Sequence, residues 1–107
     1  MANELTVLQA ISTAGQAITS MTQSLKVLKS FRKQDAVVLK EQLEFIKYAC
    51  RARGYSELVR LSVEEMNKTI QAIEQKNFSP DMKAMSMELL SMQLQALKQN
   101  IQRYISG

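Results

Sequence analysis

Residues 7–27, written as consecutive sevens, read VLQAIST AGQAITS MTQSLKV, and this stretch decides the fold. Gln9, Gln16 and Gln23 share one position of the repeat, and Ile11, Ile18 and Leu25 share another. Apolar residues recur at Val7, Ile11, Ala14, Ile18, Met21, Leu25 and Leu28 in alternating steps of four and three. That is the spacing of a helix packed lengthwise on another helix. Small residues (Ala10, Gly15, Ala17 and Ser24) lie around the seam and would let a neighbouring backbone come close, while the outward positions hold Gln, Ser and Thr. Exposed coiled coils place charges beside the seam to choose partners. Their absence predicts a helix covered on more than one side.

Carried on unchanged, the seam would reach Arg32, Asp35, Leu39 and Gln42 and put charge into a core. The pattern instead restarts out of phase as Leu39, Leu43, Ile46 and Cys50, so the helix is expected to break between Phe31 and Val38, with Asp35 as N-cap of a second helix. No Gly or Pro marks the break, and one long helix with a stutter is the alternative. Gly54 suits the left-handed position that ends a helix. Val59, Val63, Met66, Ile70 and Ile73 repeat the four-three spacing in a third helix capped by Ser56, or starting only at the capping-box pattern of Ser62 to Glu65. Ser79-Pro80-Asp81 is the strongest boundary, with Ser79 as cap, Pro80 in the first helical position and an acid at the positive helix end. The fourth helix carries the stripe Met87, Leu90, Leu94, Leu97, Ile101, Tyr104.

No strand pattern competes with these helices, so the expected fold is all-α. It is a single helical domain over residues 1–107, with helices at 4–33, 35–53, 56–76 and 80–105 packed as an antiparallel, up-down-up-down four-helix bundle. The first and fourth helices are the longest and, at about 1.5 Å per residue, would project beyond the others.

The composition narrows the chemistry. The chain has 107 residues, 14 Lys and Arg against 10 Asp and Glu, one Cys and no His. It therefore has no imidazole base, no Ser-His or Cys-His couple, no His-containing metal site, no intrachain disulfide and no Cys cluster. Glu41 and Glu44 lie one turn apart, yet no second acidic pair follows with the right spacing, and one hard cation needs several converging oxygens. Neither an enzyme nor a metal or other cofactor is expected. Cys50 falls on the apolar stripe of the second helix and reads as a buried core thiol. Met1 to Leu8 has no basic segment leading into an apolar core, as a signal peptide would. The uncharged run Leu5 to Leu25 is interrupted throughout by Gln, Ser and Thr, which argues against a membrane span. It also lacks the basic residues of most membrane-surface helices. A lone thiol suits a reducing compartment, and a cytoplasmic location is expected.

Two constellations remain. The first is apolar: Ile11, Ile18, Met21 and Leu25 with Met85, Met87, Leu90 and Leu94 as hydrophobic anchors for a protein partner or a second copy, rimmed by Gln16, Gln23 and Gln95. Met82, Met85, Leu89 and Met92 follow one stripe of the fourth helix and Met87, Leu90 and Leu94 the next, a surface wider than one neighbour can cover. Flexible thioethers suit a face that accepts shaped partners, although they also fill gaps between two neighbouring helices. The second constellation is basic. The basic excess behind the net charge of +4 lies in residues 26–60, which carry nine bases against four acids for +5, while Glu4 gives −1 and residues 61–107 balance. Lys47, Arg51, Arg53, Tyr55 and Arg60 are candidate contacts to an anionic partner such as nucleic acid. The competing explanation is that Lys26, Lys29, Arg32 and Lys33, like the second cluster, offset the negative C-terminal ends of helices. The primary expectation is a protein–protein interaction module, by self-association or by occluding or scaffolding a partner, with a nucleic-acid-binding helical module as the alternative.

Overall fold

The computed structural model describes residues 4–52 and 54–106, with side chains from Val7 to Tyr104. Four helices account for nearly all of them: α1 (Glu4–Leu28), α2 (Lys33–Ala52), α3 (Ser56–Ile73) and α4 (Pro80–Ser106). No strand occurs among the described residues.

The first boundary differs from expectation. α1 stops at Leu28, well before residue 33, because Lys29 turns into the left-handed region (φ 57°) while its N–H still donates to the Leu25 carbonyl at 2.8 Å. The chain therefore leaves the helix between Lys29 and Arg32, and a continuous helix with a stutter does not form. Asp35 is not the N-cap of α2. It is the third helical residue, and its carboxylate accepts the Arg32 N–H at 2.8 Å, which is the return half of a capping box. The break keeps Arg32 and Asp35 out of the seam and lets Ala36, Leu39, Leu43 and Ile46 bury instead.

α2 ends as a Schellman motif. Gly54 (φ 79°) donates to the Arg51 carbonyl at 3.1 Å, and Tyr55 donates to the Cys50 carbonyl at 2.8 Å. Ser56 opens α3 as a helical residue; Tyr55 holds the capping position but does not cap the helix with its side chain, and Ser62 lies inside the helix. α3 closes at Ile73 rather than at residue 76. α4 begins as expected: Ser79 Oγ accepts the Met82 N–H at 3.2 Å, with Pro80 in the first position.

Each helix packs on two others. α1 touches α2 and α4, and α3 touches α2 and α4, so the four close into a ring 41 × 21 × 20 Å overall. One hydrophobic cluster draws on all four, including Ile11 and Ile18, Leu39 and Ile46, Met66 and Ile70, Leu90 and Leu97. Each fully buried side chain of this size contributes roughly 1.5–3 kcal/mol. Thr69 is buried, and its hydroxyl donates to Gln93 Oε1 at 2.9 Å across the α3–α4 contact. Exposed ion pairs join neighbouring helices at Lys26–Glu88 (2.9 Å) and Lys40–Glu74 (2.7 Å). Gly15 does not serve a close approach: a Cβ there would meet Leu94 at an ordinary 3.8 Å.

Candidate protein-docking face

The apolar anchors expected from the sequence divide between two environments. Ile11, Ile18, Leu25, Met87, Leu90 and Leu94 are buried in the chain's own core, and Met21 is half-buried against it. α1 and α4 are mutual neighbours in the ring and close their seams on each other and on α2 and α3, so these seven side chains are not a free surface. Met85 has the opposite fate, at 69% exposed.

Met85 does not stand alone. Met82, Leu89 and Met92 are also exposed, and the steps of three, four and three residues place all four within roughly 80° of arc on α4. At 100° per residue the centre of that arc lies about 180° from Met87, so the second of the two stripes turns inward and the first turns outward. Met82, Leu89 and Met92 thus join Met85 as candidate contact residues. The four-three pattern marks both stripes equally, and only the neighbours of α4 select between them.

A separate shallow groove of about 540 Å³ lies between α1 and α4. It brings together Gln16, Gln23 and Gln95, the three expected rim residues, and Lys98 is the charged residue on it. α1 is covered on two sides, by α2 and α4, while Gln9, Ser12, Thr13, Gln16, Ser20 and Gln23 remain open to solvent. The Thr19 and Thr22 hydroxyls are turned onto their own helix and donate to Gly15 O at 2.9 Å and Ile18 O at 2.7 Å. Glu88 of α4 is engaged by Lys26 of α1. α4 therefore carries an exposed apolar stripe, and the groove it forms with α1 is lined mainly by neutral hydrogen-bonding groups.

The basic constellation is less coherent. Lys47, Arg51 and Arg60 do share one groove between α2 and α3, together with Glu57 and Glu64. Two of the three cations are engaged: Lys47 with Glu44 at 3.3 Å, and Arg60 with Glu57 and Glu64, each at 3.7 Å. Tyr55 corrects the expectation outright, because it is buried and meets Tyr104 edge to face at 5.0 Å, leaving no ring face for a base. Arg53 lies outside the described residues. Glu41 and Glu44 are exposed on α2. Cys50 is fully buried, and burial pushes its thiol up to about 11, which removes thiolate chemistry near neutral pH. Among the described residues, no helix is long and apolar enough to cross a membrane. No protein-family model, curated protein or solved structure matches the chain.

Proposed function

We propose that this chain is a protein–protein docking module that associates through the outer face of α4, in the first instance with a second copy of itself. The helices in this reading run alternately up and down, the first and fourth forming the docking side. Three cross-helix pairs support that ordering: the end of α1 meets the start of α4 through Lys29–Asp81, the start of α2 meets the end of α3 through Lys40–Glu74, and the start of α3 meets the end of α4 through Tyr55–Tyr104. The single observation that carries the function is the exposed stripe Met82, Met85, Leu89, Met92. Contiguous apolar surface of this kind marks contact sites, and its spacing is that of a seam between two helices.

A second copy suits the stripe because its four-three spacing is self-complementary for two α4 helices. The bordering charges, Lys26 and Glu88, already satisfy each other, so two chains of net charge +4 can meet there without opposing unpaired lysines. The stripe is uncharged and rich in Met, in keeping with interfaces whose centres are depleted in charge and enriched in Met. The action is contact rather than catalysis, and we place it in the cytoplasm. Analytical ultracentrifugation over a range of concentrations tests the reading. Wild type should shift from monomer to dimer, whereas the double variant Met85→Asp, Met92→Asp should stay monomeric with an unchanged thermal midpoint. A wild-type chain that remains monomeric at every concentration overturns self-association.

A further inference from the structure

At one end of the ring the turn after α1 meets the turn after α3, and the two enclose a groove of about 490 Å³. Arg32, Lys33, Lys76 and Lys83 line it around the half-buried Phe31, and Lys83 Nζ lies 5.9 Å from the centre of the Phe31 ring. These four cations come from three separate parts of the chain. The groove's own acid, Glu74, is held by Lys40 at 2.7 Å, and Arg32 lies 3.8 Å from Asp35. Among the described residues, Lys33, Lys76 and Lys83 pair with no carboxylate.

Compensation of helix ends does not account for this cluster. With α1 ending at Leu28, Arg32 and Lys33 fall at the start of α2, and Lys83 is the fourth residue of α4. All three sit where a helix is already positive and where cations are disfavoured. A fold that gathers like charges against both their mutual repulsion and two helix dipoles breaks a local rule, and such breaks concentrate at functional sites.

We propose that this groove binds a compact, multiply charged phosphate ligand, with Arg32, Lys33, Lys76 and Lys83 on its phosphoryl oxygens. The volume is in the range of small-molecule sites. The planar guanidinium of Arg32 matches two phosphoryl oxygens, and the lysines serve as point charges. Glu74 lines the groove and Asp35 lies 3.8 Å from Arg32, and both would repel an extended polyanion, whereas a short phosphate chain fits between them. The site is separate from the Met85–Met92 stripe and stands whether or not that stripe pairs with a second copy.

The test is an NMR titration of the isotopically labelled chain with inorganic tripolyphosphate, with ATP as a parallel arm. Saturable shifts confined to residues 31–36 and 74–83 are expected, and added salt should weaken them. Reversing Lys33→Glu or Lys76→Glu should weaken binding about tenfold each, the scale of one charge-assisted hydrogen bond, while Lys98→Glu leaves it unchanged. Lys33→Glu also puts an acid at the positive end of α2, so it should raise the thermal midpoint while it weakens binding, a combination that a merely structural lysine would not give. Equal affinity for the two ligands identifies the phosphate chain as the recognised group; tighter ATP binding adds contact of the nucleoside with Phe31. Shifts spread over all basic surfaces, an equal loss in Lys98→Glu, no saturation, or tighter binding to a single-stranded oligonucleotide than to tripolyphosphate overturns the proposal.

Discussion

Two methionines separated by one residue carry opposite consequences, and truncating each in turn tests the rotation of α4 about its axis. Met87 has no solvent exposure and lies within the core cluster, whereas Met85 is 69% exposed. Met87→Ala removes the buried thioether and leaves a cavity that the ring of helices can only partly close, which costs about 2–5 kcal/mol. For a domain near 100 residues that corresponds to a fall in thermal midpoint of about 10 °C or more. Met85→Ala removes side-chain atoms that are mostly in water, so its cost should stay within about 0.5 kcal/mol. Thermal and urea unfolding followed by far-UV circular dichroism, at a protein concentration low enough to hold the chain monomeric, measures both. Sedimentation of the same two proteins at high concentration then reads association, where Met85→Ala should weaken the dimer. If Met85→Ala destabilises the monomer as much as Met87→Ala, or if Met87→Ala is neutral, α4 presents the other stripe to the core and the docking face is misassigned.

The two helix ends with left-handed residues make a reciprocal pair. Gly54→Ala should cost about 1 kcal/mol through backbone strain alone, since an added Cβ meets nothing within 4 Å, whereas Lys29→Gly should raise the thermal midpoint by relieving the same strain at φ 57°. Its distant, exposed partner Asp81, at 4.0 Å, offers little to lose. Burial raises the Cys50 thiol from its ordinary 9.0 to about 11. Above pH 9 the unfolded chain gives up this proton while the folded chain keeps it to about 11, so stability should fall as pH rises through that window. The urea midpoint measured against pH should show that decline, and Cys50→Ala should flatten it. A thiol reagent at neutral pH should label Cys50 only after denaturant is added.

Most of the helical architecture was legible because its signals are local. The four-three spacing from Val7 to Leu25 needs only a period, the Ser79-Pro80 start needs only capping chemistry, and Gly54 announces the end of α2 through its tolerance of positive φ. The end of α1 was not legible for the complementary reason. Lys29 is a residue that ordinarily avoids the left-handed region, and it adopts it here where Leu25 and Phe31 on either side are drawn onto the core. That boundary then changed the meaning of Arg32 and Lys33, from cations at a negative helix end to cations at a positive one.

The sequence by itself determined that the chain is helical, that its charge is concentrated in the middle, and that α4 carries more apolar surface than one neighbour covers. The tertiary structure decided which surface remains outside. Periodicity measures the angle between residues on one helix, and only the positions of the neighbouring helices turn that angle into burial or exposure. In the same way Lys33 and Lys83 stand 50 residues apart in the chain. Only the meeting of two turns at one end of the ring gives them a common groove.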